Sequence, residues 1–220
     1  MSQESKGKAF KNIMEVITSP VKVMNNIEGN PRIWSYWIVI TVIELLVILV
    51  EMPKIVGYTI LNAQQSVNLS QSAISFVKIS AVISGIITAL IGPALTVLIL
   101  SVFIKVITSI LKEKGNFKKL YCVNLIAYVP IVISNILTAV VMIFTEAQNI
   151  KNISTSFAVF LNSSTNTFIY KLLSHIDIFY IWSIILSSIG TSAVFKISMK
   201  KALIINFGIY ILSVIIMILV

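Results

Sequence analysis

Between Ile79 and Ile104 the chain runs for 26 residues without an Asp, Glu, Lys or Arg. A helix needs about 20 apolar residues to cross the ~30 Å hydrocarbon core of a bilayer, so this run settles the solvent before any motif is read. Four comparable runs accompany it: Ile33 to Glu51, Tyr121 to Thr145, Ile176 to Phe195 and Ala202 to Val220. Lipid cannot satisfy an open backbone, and no period-2 alternation of the barrel kind runs through these stretches, so all five are expected as helices. The expected fold is all-α: a polytopic bundle of five transmembrane helices in residues 33–220, preceded by a cytoplasmic amphipathic segment in residues 1–32.

Composition agrees. Hydrophobic residues make up 57% of the chain and charged residues 11%, against roughly 25% charged in an average soluble domain. The formal charge of +9 comes from lysines placed between apolar runs. They do not gather on one polar, aromatic-interleaved surface, which excludes nucleic acid as a partner. Cys122 is the only cysteine, so neither an internal disulfide nor a cysteine-rich metal site is available. Some thirty mostly polar residues precede the first apolar run, so it is expected to stay as an anchor and not to be removed as a signal peptide.

Orientation follows from the basic residues, which cytoplasmic flanks retain. Lys6, Lys8, Lys11, Lys22 and Arg32 precede the first span; Lys105, Lys112, Lys114, Lys118 and Lys119 follow the second; Lys196, Lys200 and Lys201 follow the fourth. A cytoplasmic N-terminus places these 13 inside and only Lys54, Lys78, Lys151 and Lys171 outside, with the C-terminus outside as well. Trp34, Tyr36 and Trp37, then Tyr121, then Phe179, Tyr180 and Trp182 open three of the spans, where interfacial aromatics belong. High Lys, Ile and Asn usage points to AT-rich coding and a bacterial cell membrane.

Before the first span, Phe10, Ile13, Met14, Ile17, Val21 and Met24 recur at helical spacing among Lys8, Lys11 and Lys22. Ser19–Pro20 reads as an N-cap with proline at the first helical position, and Gly29 and Pro31 end the segment, so two short helices are expected. Three uses of the apolar face stand open: an anionic membrane surface, a protein partner, or packing under the bundle.

Within the membrane, Glu44 lies past the middle of the first span, with Glu51 seven residues later on nearly the same face and Thr41 one turn earlier. An ionisable group at that depth costs at least about 2.5–3.5 kcal/mol on insertion scales and marks a candidate site. The pair can form a proton or cation path; with no mid-span Lys, Arg or His to complete a relay, a structural carboxyl is the stronger reading. Ala81, Gly85 and Ala89 repeat every four residues as a face for close helix approach. Gly92 and Pro93 follow, a kink or a helix break. Pro130 bends the third span ahead of Ser134, Asn135 and Thr138, and Ser183, Ser187 and Thr191 form a polar stripe beside Gly190 in the fourth.

His175 and Asp177 are a weak two-residue metal or catalytic pair. Nucleophile elbow, HExxH and phosphate-binding glycine loop are all missing from the sequence, so neither an enzyme nor a cofactor is expected. Between Glu146 and Ser174 the apolar islands Phe157 to Leu161 and Phe168 to Leu173 are too short for spans and suit interfacial or re-entrant segments. Asn68, Asn152 and Asn162 begin N-x-S sequons in expected outer loops.

Three further stretches carry a resemblance: "FKNIMEVITSPVKVMNNIEGNP" before the first span; Gly115, Phe117, Leu120, Tyr121, Ala127, Tyr128 and Pro130; and "DIFYIW" at Asp177 to Trp182 with Gly190 and "KKA" at Lys200 to Ala202. With five spans and an outer C-terminus, the chain resembles the Yip family, the Ypt/Rab-interacting protein domain, in its prokaryotic branch. Eukaryotic relatives engage prenylated Rab GTPases and carry a DLYGP-type motif that this chain lacks. Some prokaryotic relatives accompany ABC-type exporters.

The resemblance implies a non-enzymatic accessory or assembly factor for another membrane complex, an ABC transporter among the candidates. Docking would use the small-residue and Ser/Thr helix faces and the cytoplasmic basic residues Lys118, Lys119, Lys200 and Lys201. Two alternatives stay open: a small transporter or channel using Glu44 and the Gly92–Pro93 break, and a trafficking factor of the Rab-interacting kind. Membrane lipids are expected partners, and a homo-oligomer remains compatible with the sequence.

Overall fold

The computed structural model describes residues 3–66, 70–161 and 167–219. It is all-helical, and five helical stretches are long and apolar enough to cross a membrane. Two short helices come first, α1 (Gln3–Thr18) and α2 (Pro20–Gly29). The spans are α3 (Ile33–Ser66), α4 (Gln71–Ile110), the consecutive pair α5 (Phe117–Ala127) and α6 (Val129–Phe144), α8 (Ile178–Phe195) and α9 (Met199–Leu219). Between α6 and α8 lie two 3-10 turns, Ala147–Asn152 and Phe157–Phe160, and the short α7 (Phe168–Ser174).

Helix starts follow local chemistry. Proline opens α2 at a position where its missing N–H costs nothing, although the Ser19 side chain makes no cap bond. Ser70 caps α4 by accepting from Ala73 N, and Asn116 caps α5 by accepting from Lys119 N. Each removes one orphan donor from the first turn.

The first two spans exceed their sequence-based bounds. α3 passes through Glu51 and Pro53 to Ser66, and α4 starts eight residues before Ile79. Lys54 Nζ donates to the Thr145 carbonyl at the end of α6 (2.7 Å), so the α3–α4 hairpin projects about 18 Å past that level at 1.5 Å per residue. Charge ended the expected spans there; a long helix can leave the bilayer without ending. Helix α3 packs most extensively on α4.

The third span breaks in its first half. Pro130 has no N–H for the carbonyl one turn back, and Ile131 N turns instead to Tyr128 O (2.9 Å). The Ala127 carbonyl that this leaves over accepts the Ser183 hydroxyl of α8 (2.7 Å). Thus a neighbouring helix satisfies what the proline releases, as lipid cannot.

Helices α5 and α8 are central. From Cys122 to Ala127 every residue of α5 is buried, against α8, α4, α2 and α3. A buried polar chain ties four spans together: Asn124 Nδ2 donates to Ser101 Oγ (3.0 Å), Ser187 Oγ lies 2.8 Å from Asn124 Oδ1 and 2.7 Å from Asn206 Oδ1, and Asn206 Nδ2 donates to Thr191 Oγ1 (3.3 Å). The single Ser187 proton serves one of its two acceptors at a time.

Helices α1 and α2 pack into this same core through Ala9, Ile13, Val16, Val23, Met24 and Ile27. The expected apolar stripe is therefore divided. Ile13 and Met24 face the bundle, while Phe10, Met14, Ile17 and Val21 stay exposed. Periodicity located the helices but not which of two apolar faces turns inward.

The 3-10 turn Phe157–Phe160 and α7 are short helical pieces, with Phe157, Phe160, Phe168 and Ile169 exposed. The first is held to the start of α8 by Phe157 N donating to Ile176 O (2.9 Å). Asn152 ends the first 3-10 turn; Asn68 and Asn162 lie outside the described residues.

Candidate functional site

Seven residues are two helical turns less about 20°, so Glu44 and Glu51 leave α3 on one side. Both line a cavity of about 290 Å³ enclosed by α3, α4 and the α5–α6 break. Along α3, Glu44 lies about 17 Å and Glu51 about 27 Å from Ile33, so the cavity lies along the middle third of that helix. Helix α4 contributes Gly85, Thr88, Gly92, Pro93 and Thr96; Tyr128 and Asn135 close the third wall. Thr88 and Thr96 line this cavity and are exposed, so it is open beside α4.

Asn135 Nδ2 donates to both oxygens of the buried Glu44 carboxyl, at 3.0 and 3.1 Å. Among the described residues neither Glu44 nor Glu51 makes an ion pair, and Lys54, one turn beyond Glu51, is committed to Thr145. A second cavity, about 360 Å³ and mostly apolar, lies beyond the shared residues Thr96 and Tyr128 between α4, α8 and α9. Its floor is the Asn124–Ser187–Asn206 chain. Chemically, the polar cavity offers two carboxyls and three hydroxyls to a proton, a cation or a hydrogen-bonding group arriving through the membrane.

The structure thus brings Glu44, Glu51, Gly85, Gly92 and Pro93 together. It does so without a break in α4, which is continuous through Pro93. Of the two readings of Gly92–Pro93, a packing kink or a helix break, the continuous α4 rules against the break, with Pro93 buried inside the helix. A Cβ on Gly85 would lie 2.9 Å from Met52 Cε, so that glycine and buried Ala89 are spent on α3. A Cβ on Gly92 would meet only Thr88 of its own helix, at 3.6 Å; Gly92 is no packing residue.

Other candidates lie elsewhere. Pro130 sits at the break beside Tyr128, and Gly190 is where α8 crosses α5, a Cβ there falling 2.8 Å from Val123. Asp177 is not within a span. It caps α8 by accepting from Phe179 N (2.7 Å) and Tyr180 N (3.1 Å), and it also accepts from Thr155. The His175 carbonyl accepts from the Tyr210 hydroxyl, so this pair is engaged in fastening helix ends. Lys119 pairs with Glu28 (2.7 Å) and Lys201 with Glu113 (2.5 Å), whereas Lys118 and Lys200 are exposed. Thr88, Thr96, Asn124 and Asn206 were missed by sequence reasoning, and Tyr128 entered it only through the family resemblance, not as a site residue. An asparagine inside an apolar span is costly unless paired, and that signal would have found the two asparagines.

A helical bundle resting on two short N-terminal helices, with a proline-broken third span and this polar interior, is the context for the family comparison. The model of the Yip1 domain matches residues 14–220. The chain belongs to the Yip1-domain family. Yip1-domain proteins are generally non-enzymatic, trafficking-related membrane proteins. The match starts inside α1 and takes in every span of this Yip1 domain as well as the short α2, whose Val23, Met24 and Ile27 are part of the core. No curated protein and no solved structure matches the chain.

Proposed function

We propose that this Yip1-domain protein is a non-enzymatic accessory factor that docks laterally on another membrane protein, with the Glu44–Glu51 cavity receiving a polar or cationic group from the partner's helix. One observation carries the reading: two carboxyls that make no ion pair among the described residues stand in a cavity bordered by the exposed Thr88 and Thr96 of a span. The other packing devices are used within the chain: Gly85 and Ala89 on α3, Gly190 on α5, and Ser183, Ser187 and Thr191 in internal hydrogen bonds. An ABC-type exporter is the partner class implied by the prokaryotic branch of the family, in a bacterial cell membrane with the N-terminus cytoplasmic, as the lysine distribution favours.

The test is co-purification from native membranes in mild detergent, with crosslinking. Wild type is expected to carry a membrane-protein partner that Thr88→Leu/Thr96→Leu and Glu44→Gln/Glu51→Gln lose. A chain that emerges alone in every case defeats the proposal.

A second reading has its own support, the meeting of both carboxyls with Gly92 and Pro93 in one cavity: a small transporter or channel for protons or cations. Purified protein in liposomes decides it. Flux that is absent, or unchanged in Glu44→Gln, removes this reading.

A further inference from the structure

A second polar pocket lies on the opposite side of the bundle, far from the two carboxyls, where α1 and α2 meet the start of α3. It has a volume of about 320 Å³. Three cations border it, Lys11 from α1, Lys22 from α2 and Arg32 just before α3, against the single carboxylate of Glu15. Glu15 is held loosely by Lys11 at 3.5 Å, and the Lys11 side chain is 70% exposed, an exposed pairing that leaves the local excess of positive charge in place.

Arg32 is half-buried and makes no ion pair or side-chain hydrogen bond among the described residues. A guanidinium in that position keeps five donors in a planar fork that matches phosphate geometry. Asn26 of α2 and Asn30, which follows it, add amide groups. The pocket wall is rigid: Asn12 Nδ2 donates to the Tyr36 hydroxyl (2.6 Å), and Tyr36 is fully buried under it. Arg32 also adjoins the N-terminus of the 34-residue α3, whose dipole adds to the attraction for an anion.

We propose that this pocket binds a phosphate group, supplied by the headgroup of an anionic membrane lipid. Depth argues for the lipid source. Arg32 immediately precedes the first apolar residue of α3, and Trp34 and Trp37, packed edge to face at 5.7 Å, mark the interface beside it. The pocket therefore sits at headgroup level. Contacts from Arg32 and the lysines to a phosphate would be charge-assisted, the guanidinium fork matching two of its oxygens, and the net positive charge of the pocket favours an anionic headgroup over a zwitterionic one.

Native mass spectrometry of the full chain in detergent tests this, with phosphatidic acid, phosphatidylcholine and glycerol 3-phosphate as separate additions. Wild type is expected to retain phosphatidic acid over phosphatidylcholine. Arg32→Gln and Lys22→Gln are each expected to weaken that retention about tenfold, the scale of one lost charge-assisted contact, and Arg32→Lys less. Lys151→Gln, at the other end of the molecule, keeps wild-type retention. Because Lys22 is exposed, its variant folds and keeps the comparison valid should Arg32→Gln unfold. Retention of phosphatidic acid with no response to glycerol 3-phosphate upholds the lipid source; an equal response to glycerol 3-phosphate upholds the phosphate site and overturns that source. Equal retention by wild type, Arg32→Gln and Lys22→Gln overturns the proposal.

Discussion

A methyl group added at Gly190 would lie 2.8 Å from both Cβ and Cγ2 of Val123, and a β-branched neighbour has no flexible end to move aside. Gly190→Ala is expected to lose about 1–3 kcal/mol through overpacking, read as earlier thermal unfolding in detergent. Gly92→Ala makes the contrast: with only its own Thr88 nearby, it should be neutral or gain up to about 1 kcal/mol from the better helix former. Equal losses at the two glycines would contradict this account of packing. Glu44 and Asn135 divide differently. Glu44→Gln keeps a polar partner for Asn135 and should change stability little. Asn135→Leu strands a buried carboxyl and should cost about 1–3 kcal/mol, measured by the same unfolding assay. At this scale the sequence reveals which residues are unusual for a membrane interior. It does not reveal their partners: Glu44 was conspicuous alone, while its donor lies 91 positions away.

Among elements, the α5–α6 break shows one helix repairing another. Proline 130 releases the Ala127 carbonyl to the Ser183 hydroxyl, so the two residues are coupled. Ser183→Ala should cost about 1 kcal/mol in the native background and less in Pro130→Ala, where the straightened helix recaptures its own carbonyl. A double-mutant cycle on thermal stability reads the difference; strict additivity would separate the break from Ser183. The sequence announced Pro130 and the Ser183 stripe as independent features. Pro93, read as a kink or a break, stands inside an unbroken helix: proline removes a bond wherever it stands, but its surroundings decide whether the helix ends there.

The whole molecule rests on its N-terminal helices. Val23 and Met24 are fully buried, and a Cβ added at Gly190 would lie 3.5 Å from Met24 Sδ. Deleting residues 3–29 should therefore leave α5 and α8 open on one side, detected as rapid proteolysis of the α4–α5 connection around Lys114. Cys122, also fully buried, should resist maleimide in the folded protein and react after denaturation in SDS; labelling at native rates would mean that α2 does not cover α5. In a Cys122→Ser background, cysteines at Ser70 and Asn116 should label from opposite sides of the membrane, because the α4–α5 connection lies at the α1–α2 end of the bundle and the α3–α4 turn at the other.

The sequence by itself determined the solvent, the helical class, five crossings and the end of the bundle at which basic residues collect. These depend on sums over about twenty neighbouring residues, which any chain carries in its order. Only the tertiary structure decided which faces were spent and which left over. Gly85 and the Ser183–Thr191 stripe turned inward, Phe10 and Met14 turned outward, Lys119 and Lys201 found acids, and Glu44 and Glu51 met Thr88 and Thr96 across a helix boundary. In lipid every apolar face is acceptable outside, so hydrophobicity does not choose between them. Small-residue fit and polar pairing across helices make that choice, and both exist only once the helices stand side by side.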